Sequence, residues 1–340
     1  MCVDLSKPSV YVSRIIPAPG MEILYDNCDV VLHDERDLPP SREELLAKSR
    51  DSQGVLVMIT EKIDREFLDN ARRLKVVSTY SVGVDHIDVA YATARGIWVT
   101  HTPDVLTEAT ADLAFALMLA ASRRVVEGDR LVRTRAWNKP WSPYFLVGND
   151  VFGAELGIIG LGRIGKAIAK RAACFGMKVI YFNSRGPDLE AEKSLGVRFA
   201  NFDDLLRSSD IVSVHTPLTD KTYHYFGSRE FALMKKSAVF VNASRGGVVD
   251  TTALVEALKS QRIFAAGLDV YEKEPLEPDN PLLDLENVVL APHLGSASVN
   301  SRSKMAELAA TNLVEALSGK VPKGLANLEI LPKARHGHGI

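Results

Sequence analysis

Three ionisable residues with complementary chemistry follow strand-like runs in the second half of the chain: Arg245, Glu274 and His293. A guanidinium binds a carboxylate through paired hydrogen bonds and stabilises negative charge that develops on a nearby oxygen. A carboxylate beside an imidazole orients the ring and favours its protonated form, which can donate a proton. Taken singly, each residue has an ordinary explanation as a turn arginine, a solvated acid or a core histidine. Together they predict an anion clamp combined with an acid/base pair.

A glycine-rich motif, Gly160-Leu161-Gly162-Arg163-Ile164-Gly165, follows an apolar strand-like run and opens a helix-like run. In this context the first glycine permits a tight turn, the second lets a pyrophosphate approach the backbone, and the third lets the helix pack closely on the strand. Free N–H groups at the start of the helix would bind the phosphates. The motif therefore predicts a dinucleotide site, with a plain glycine-rich turn as the alternative.

The next strand-like run, Lys178 to Phe182, ends at Asn183-Ser184-Arg185. A site for NAD carries an acidic residue about 20 residues after the glycine motif, where it binds a ribose hydroxyl. This chain has no acid there, and its hydroxyl and guanidinium suit a 2′-phosphate instead. The sequence therefore favours NADP(H), while NAD(H) stays possible and Arg185 has an ordinary solvated role as its alternative.

Length and composition indicate a globular protein of two domains, with 340 residues of which 46% are hydrophobic and 25% charged. The net charge of −2 and the dispersed basic residues argue against a nucleic-acid partner. Cys2, Cys28 and Cys174 are widely separated, which predicts no disulfide framework, no zinc site and a reducing compartment. Without a signal-like start or a membrane-spanning apolar run, we expect a cytoplasmic protein with no membrane partner.

Short apolar runs alternate with helix-like segments along the chain, as in parallel sheets covered on both faces. The pattern predicts an α/β fold with two doubly wound parallel-sheet domains, whose ligands bind beyond the carboxyl ends of the strands. The predicted strands are Val10–Val12, Val30–Leu32, Val55–Met58, Val76–Ser78, Ile97–Val99, Leu156–Ile159, Val179–Phe182, Ile211–His215, Ala238–Val241, Ala265–Val270 and Val288–Ala291.

Three helix-like segments carry further predictions. Ser41 and Glu44 form a capping-box pattern in which each side chain would satisfy a backbone N–H group. The segment from Thr107 to about Trp137 is apolar almost all round at first, which predicts a buried helix between domains or subunits. The last helix, about Ser298 to Leu317, is expected to pack on the first domain.

Four ordered segments resemble the signatures of the D-2-hydroxy-acid dehydrogenase family, and the resemblance covers nearly the whole chain. Two further segments, Tyr80–Asp88 and Thr102–Thr107, are most similar to the glyoxylate reductase/hydroxypyruvate reductase subgroup. The four segments are the glycine motif, Asn242-Ala243-Ser244-Arg245-Gly246, Asp269-Val270-Tyr271-Glu272-Lys273-Glu274-Pro275 and Pro292-His293-Leu294-Gly295-Ser296-Ala297.

The resemblance implies a Rossmann coenzyme domain inserted into a flavodoxin-like substrate domain. We expect the substrate domain at residues 1–103 and 296–330, the NAD(P)-binding domain at 104–295, and a polar tail at 331–340 whose His336 and His338 are not metal ligands. The resemblance also implies a homodimer, with Thr107–Trp137 and the loop Trp141–Phe145 at the interface. Phe145 stands where relatives commonly carry a tryptophan that reaches the neighbouring active site.

The implied activity is the reduction of a small 2-keto acid, glyoxylate to glycolate or hydroxypyruvate to D-glycerate, by hydride transfer from NAD(P)H. Arg245 would bind the carboxylate and the C2 carbonyl oxygen, while Val82 and Gly83 would hold the other side of the carboxylate through backbone N–H groups. His293 would donate the proton, oriented by Glu274.

The resemblance also implies cofactor ligands around the glycine motif and in later loops. Asp269 has turn capping as its alternative role, and Met58 and Ile59 either shape the substrate pocket or belong to the core. The implied cofactor ligands are Leu161 to Ile164 at the pyrophosphate, Asn183, Ser184 and Arg185 at the adenosine end, Pro217 and Thr222 beside the adenine, and Ala243, Ser244, Asp269 and Gly295 at the nicotinamide.

Other interpretations stay open. A phosphoglycerate dehydrogenase is less well supported, because no additional basic cluster stands near Ser81-Val82-Gly83. Formate dehydrogenases pair the histidine with glutamine, whereas this chain has Glu274. A dinucleotide-sensing co-regulator with little turnover would keep the same residues, and a purely structural α/β protein would bind no cofactor.

Overall fold

The computed structural model describes residues 7–33 and 35–331. The chain divides into two compact units, the first formed by Met1–Leu106 with Ser298–Ile340 and the second by Thr107–Ala297. The predicted boundaries at 103/104 and 295/296 differ slightly, because a helix of the second unit begins only at Thr107 and Ser298 caps the C-terminal helix. The predicted tail, with His336 and His338, lies outside the described residues apart from Leu331.

Strands and helices alternate along the described chain. The strands are β1 Ser9–Val12, β2 Asp29–Leu32, β3 Gly54–Val57, β4 Val76–Thr79, β5 Trp98–Thr100, β6 Glu155–Ile159, β7 Lys178–Phe182, β8 Arg198–Phe199, β9 Ile211–Val214, β10 Val239–Asn242, β11 Ala265–Leu268 and β12 Val288–Leu290. The helices are α1 Ala18–Asn27, α2 Arg42–Ser49, α3 Arg65–Asn70, α4 Val89–Ala94, α5 Thr107–Ser122, α6 Val125–Arg133, α7 Arg163–Cys174, α8 Leu189–Leu195, α9 Phe202–Ser208, α10 Ser228–Leu233, α11 Thr251–Lys259 and α12 Val299–Leu317.

The first unit is built on a five-stranded parallel sheet with the order β2-β1-β3-β4-β5, which is the flavodoxin-like order. The C-terminal helix α12 packs on this sheet, and Ser78 Oγ donates a hydrogen bond to the Ala309 carbonyl over 2.8 Å. Helix α1 crosses α12 closely, because a Cβ on Gly20 would lie 2.6 Å from the Ala306 carbonyl oxygen. The last helix therefore packs on the first unit, as the sequence predicts.

The second unit contains a seven-stranded parallel sheet with the order β12-β11-β10-β9-β6-β7-β8, a Rossmann order with one additional strand. One face is covered by α5 and α7 and the other by α9, α10 and α11. Strands β9, β10 and β11 are buried along their whole length, which explains their nearly unbroken apolar sequences. Two parallel α/β sheets confirm the predicted fold class.

Strand ends differ from the predictions where a functional loop begins. Met58, His215 and Val270 were expected inside strands, but β3, β9 and β11 end before them. The apolar side chains of Met58 and Val270 continue the strand-like pattern although the backbone has left the sheet. The prediction also missed β8, whose two residues at the sheet edge are too few to give a periodic signal.

The predicted helix from Thr107 to about Trp137 is wrong in its second half, because it breaks at Arg123 and Arg124. Arg124 has a left-handed backbone with φ of 53° and is the N-cap residue directly before α6. Helix α5 is largely buried, but α6 has no buried residue and exposes apolar side chains such as Val132. None of the described helices, α5 included, combines the length and the apolar character needed to cross a membrane.

The capping box at the start of α2 is half formed. Ser41 Oγ accepts a hydrogen bond from Glu44 N over 3.1 Å, as predicted. The Glu44 side chain does not return to the cap but contacts His33, with 2.7 Å between Oε1 and Nδ1. A tertiary partner outside the helix therefore replaces the second local hydrogen bond.

Candidate active site

His293 and Glu274 form a hydrogen-bonded pair at the carboxyl edge of the second sheet. His293 follows β12 and Glu274 lies in the loop after β11, with 2.6 Å between His293 Nδ1 and Glu274 Oε2. Each side chain is 29% exposed, so the pair is desolvated in part and still reachable. A carboxylate only accepts hydrogen bonds, so Nδ1 carries the proton of this contact. The other ring nitrogen, Nε2, is left for proton transfer.

The charge on Glu274 is stabilised by its neighbours. Burial acts to raise the pKa of Glu274, but the His293 hydrogen bond and charge, the Tyr271 N–H donor at 3.0 Å and the positive charge of Arg245 together lower it. Glu274 is therefore ionised at neutral pH. The ionised carboxylate fixes the tautomer and the orientation of the histidine ring.

Arg245 belongs to the same cluster although it comes from another loop. It follows β10, and its charge lies close enough to Glu274 to affect the pKa of that carboxyl. The loops after β10 and β11 touch backbone to backbone, because a Cβ on Gly246 would lie 1.8 Å from the Tyr271 carbonyl carbon. Only glycine allows this approach. The structure thus brings together the arginine, carboxylate and imidazole that the sequence singled out.

Asp269 holds the turn that carries His293. Its two carboxylate oxygens accept hydrogen bonds from Leu294 N at 2.6 Å and Gly295 N at 2.8 Å, and its carbonyl accepts from His293 N at 3.0 Å. These contacts secure the left-handed backbone of His293, whose φ is 55°. Burial raises the pKa of Asp269, although the same two backbone donors act to lower it. The observed contacts are those of the turn-capping alternative, and a nicotinamide contact stays a prediction.

The glycine motif has the shape that a dinucleotide phosphate needs. A Cβ on Gly160, whose φ is 96°, would lie 2.7 Å from the His215 carbonyl oxygen, and a Cβ on Gly165 would lie 2.4 Å from the Gly160 carbonyl oxygen. A Cβ on Gly162 would meet no other atom within 4 Å. Gly162 directly precedes α7, and it has no side chain that could accept a hydrogen bond from the first N–H groups of the helix. A helix leaves the N–H groups of its first turn without an acceptor inside the helix, so the start of α7 at this motif can bind an anion. These features fit a pyrophosphate.

Asn183 takes a role that the sequence did not predict. Its Oδ1 accepts a hydrogen bond from Leu161 N over 2.7 Å, so it ties the glycine motif to the end of β7. The Leu161 N–H, expected at the pyrophosphate, is used in this contact. Ser184 and Arg185 are exposed beside it, and Arg185 has no hydrogen-bond or ion-pair partner among residues 7–33 and 35–331. Its guanidinium is available to a ligand.

The remaining predicted cofactor residues lie in loops at the same edge of this sheet. Thr222 Oγ1 donates to the Pro217 carbonyl over 2.7 Å, which closes the loop after β9. Ser244 Oγ donates to Asn242 Oδ1 over 2.8 Å, next to the buried Ala243. Gly295 is held through its carbonyl by Thr110 Oγ1 over 3.0 Å. Their cofactor contacts stay predictions.

The predicted substrate residues of the first unit follow β3 and β4. The carbonyl of Gly83 accepts from Ser81 Oγ over 2.6 Å, and the carbonyl of Val82 contacts His101 Nδ1 over 2.8 Å. The N–H of Met58 donates over 2.5 Å to Glu61, a buried acid that the sequence reasoning missed. In the sequence, the only sign of Glu61 was that an acidic residue stands shortly after an apolar strand. The substrate contacts of Val82, Gly83 and Met58 stay predictions.

Comparison with known proteins identifies the family. Residues 115–295 match the model of the D-isomer specific 2-hydroxyacid dehydrogenase, NAD binding domain. A glyoxylate reductase from Thermofilum pendens is 52% identical over 96% of this chain and 96% of its own length. A glyoxylate reductase from Korarchaeum cryptofilum is 48% identical over 96% of this chain and 97% of its own.

A solved structure agrees with these relatives. The NADPH-dependent glyoxylate/hydroxypyruvate reductase from Sinorhizobium meliloti, in complex with NADP and malonate, is 34% identical, covers 92% of this chain and 94% of its own, and superposes with a TM-score of 0.78. Fold, motif order and near full-length similarity lead to the same conclusion. The chain is an oxidoreductase that belongs to the D-isomer specific 2-hydroxyacid dehydrogenase family.

Proposed function

We propose that the protein reduces glyoxylate to glycolate with NADPH, and hydroxypyruvate to D-glycerate as a second substrate. The observation that carries the proposal is the 2.6 Å contact of His293 with Glu274 beside the charge of Arg245. This set supplies an anion-binding group and a proton donor, which the reduction of a 2-keto acid requires. The relatives named glyoxylate reductase, about half identical to this chain, support the choice of substrate.

In the proposed reaction Arg245 binds the substrate carboxylate and the C2 carbonyl oxygen. Its guanidinium aligns the carbonyl and stabilises the negative charge that grows on oxygen in the transition state. A reduced nicotinamide dinucleotide held at the glycine motif would supply the hydride for the new C–H bond at C2. His293 donates the Nε2 proton to the resulting alkoxide, and Glu274 stabilises the imidazolium before this transfer. Backbone N–H groups of Val82 and Gly83 and the side chain of Met58 complete our proposed substrate ligands.

The proposed cofactor preference rests on Arg185. Its exposed guanidinium has no partner in the described part of the chain, and it follows the strand end where an NAD site would carry an acid. A 2′-phosphate would gain a charge-assisted hydrogen bond there. The relative from Sinorhizobium meliloti, described as NADPH-dependent and in complex with NADP, supports this preference.

We also propose a homodimer that uses the surface after α5. Apolar side chains are exposed on α6 and on the loop that follows it, and Trp141 and Tyr144 are 82% and 90% exposed. Large exposed apolar side chains that are close to one another on a surface are typical of an interaction site. A second copy of the chain would bury it.

A kinetic matrix tests the proposed function. NADPH and NADH are each assayed by loss of absorbance with glyoxylate, hydroxypyruvate, pyruvate and 3-phosphohydroxypyruvate. We expect the highest kcat/KM with NADPH and glyoxylate, with turnover within the usual range of about 1–10³ per second. Tight NADPH binding without turnover of any of the four acids would favour the dinucleotide-sensing alternative.

A further inference from the structure

A second histidine–glutamate pair lies next to the first one in the second unit. His224 Nε2 and Glu272 Oε2 are 2.9 Å apart, and the two side chains are 34% and 32% exposed. Glu272 stands two positions before Glu274 in the loop after β11. The ring of Tyr223 stacks on His224, with 4.0 Å between the centroids and 14° between the planes. The proposed reaction gives neither Glu272 nor His224 a role.

Glu272 connects three separate segments. Its Oε2 binds His224, and its Oε1 accepts a hydrogen bond over 2.8 Å from Thr251 N, the first residue of α11. The His224 segment is itself paired with the turn before α11, because His224 N donates to the Gly247 carbonyl over 2.8 Å. Burial acts to raise the pKa of Glu272, but the Thr251 and His224 contacts lower it, so the carboxylate is charged at neutral pH. Both of its oxygens are thus engaged in holding loops.

The backbone around Glu272 supports both Arg245 and Glu274. A Cβ on Gly246 would lie 2.4 Å from Glu272 N, so the residue after Arg245 packs directly on the Glu272 backbone. On the other side, Tyr271 N donates to Glu274 Oε1 over 3.0 Å. A shift of Glu272 therefore displaces the supports of both Arg245 and Glu274. Misplacement of a reacting group by about 1 Å can cost about 10²-fold in rate.

We infer that Glu272 is a positioning residue for the proposed reduction: by binding His224 and Thr251 N it fixes the loop that carries Glu274 against the turn that carries Arg245. The kinetic part of this inference rests on the proposed function. The geometric part, that Glu272 sets the His293–Glu274 contact, does not. Glu272 itself need not touch substrate or cofactor.

Three variants separate positioning from general stability. Glu272→Ala removes both contacts, whereas Glu272→Gln keeps an oxygen for Thr251 N and an amide that donates to a neutral His224 ring. Glu230→Ala is the matched control, because Glu230 also accepts a hydrogen bond from a backbone N–H, Gly227 N at 3.0 Å, and pairs with Arg229, yet lies outside this loop.

We expect Glu272→Ala to lower kcat for glyoxylate about 10- to 100-fold, while the Kd for NADPH measured by fluorescence changes less than about threefold. Glu272→Gln should recover at least about tenfold of that loss, and Glu230→Ala should stay within about twofold of the wild type. A Glu272→Ala enzyme with the wild-type kcat would overturn the inference. A Glu230→Ala enzyme whose kcat falls as far as that of Glu272→Ala would also overturn it.

A nuclear magnetic resonance measurement tests the geometry without turnover. The Nδ1 proton of His293, assigned by its loss in His293→Gln, should resonate far downfield in the wild type because of the short contact with Glu274. Glu272→Ala should move or broaden this signal, and Glu230→Ala should leave it in place. An unchanged signal in Glu272→Ala contradicts the positioning role. If the wild type fails to reduce glyoxylate, the proposed function fails, and this signal still decides about Glu272.

Discussion

At the residue scale, the chemistry depends on which atoms of a few side chains are already engaged. Glu274 uses Oε2 for His293 Nδ1 and Oε1 for Tyr271 N, so it orients the ring and leaves Nε2 to transfer a proton. Asp269 is also an acidic residue, but its carboxylate accepts hydrogen bonds from two backbone N–H groups and supports the turn. Two acids in the loop after β11 therefore have different roles because their hydrogen-bond partners differ.

Replacing Glu274 tests the ionised carboxylate. Its pKa lies below the ordinary value, so Glu274 is charged above pH 4.5 and loses this effect only as pH falls through the lowered value. Glu274→Gln removes the charge that favours the imidazolium, and we expect the alkaline limb of kcat for reduction to move to lower pH. At pH 8 the rate should fall about 10²-fold, whereas glycolate oxidation, which needs a neutral ring, should fall less. Steady-state pH profiles in both directions measure this, and equal losses in the two directions would contradict it.

Replacing Arg185 tests the cofactor preference. Arg185→Asp places a carboxylate where we propose a 2′-phosphate, so repulsion should lower kcat/KM for NADPH and a ribose hydroxyl should gain an acceptor. The ratio of kcat/KM for NADPH to that for NADH should fall at least about tenfold. Arg198→Asp, at an exposed arginine that begins β8, is the charge-matched control. A ratio that changes equally in both variants would make Arg185 a bystander.

At the element scale, the loops after the parallel strands are held by buried acids. Glu61 lies in the loop after β3 and accepts hydrogen bonds from Ser13 Oγ at 2.7 Å, in the loop after β1, and from Met58 N at 2.5 Å. Arg14 Nη2 adds an ion pair at 3.1 Å. This acid thus joins the loops at the point where the order of the strands reverses.

Glu61 is expected to make stability depend on pH. Burial acts to raise its pKa, but the hydrogen bonds from Thr60, Ser13, Met58 and Arg14 lower it overall. A lowered value in the folded state means that Glu61 stabilises the fold above its unfolded pKa and that this effect is lost as pH falls through the folded value. Glu61→Gln should therefore lower the free energy of unfolding by about 1–3 kcal/mol at pH 7 and by less at acidic pH. Urea denaturation across this range measures the difference, and a constant difference would contradict the assignment.

Much of the order of strands and helices could be predicted, because buried parallel strands have short apolar sequences that stand between helices. Arg245, Glu274 and His293 could also be predicted as candidate site residues, since all three stand in loops that follow strands. What could not be predicted depends on tertiary contacts: the break at Arg124, the edge strand β8, and the partner that Glu44 finds in His33. Asn183 was predicted as a cofactor ligand, but its hydrogen bond to Leu161 N appears only once the loops are folded.

At the scale of the whole molecule, the chain forms two α/β units, and the C-terminal helix returns to the first. The second unit contains the glycine motif together with Arg245, Glu274 and His293. It also exposes apolar side chains on α6 and the following loop, such as Val132 and Trp141. Exposure of these apolar side chains to water is unfavourable in free energy, and association of two chains would bury them.

The proposed homodimer predicts a mass of two chains in solution. Light scattering after size exclusion should give this mass at micromolar concentration, and the double variant Trp141→Ser with Tyr144→Ser should shift the equilibrium toward the single chain. Leu189→Ser, at a side chain that is 73% exposed outside this surface, is the control. A wild-type protein that runs as a single chain at high concentration would contradict the proposal.

The pH dependence of NADPH oxidation by glyoxylate, measured in a single turnover for the wild type and for His293→Gln, tests the central claim most directly. We expect the wild-type rate to fall as pH rises, because the neutral imidazole has no proton to donate from Nε2. The variant should be about 10²- to 10⁴-fold slower and should lose this pH dependence. A variant that keeps the wild-type rate and the wild-type profile would show that His293 is not the proton donor.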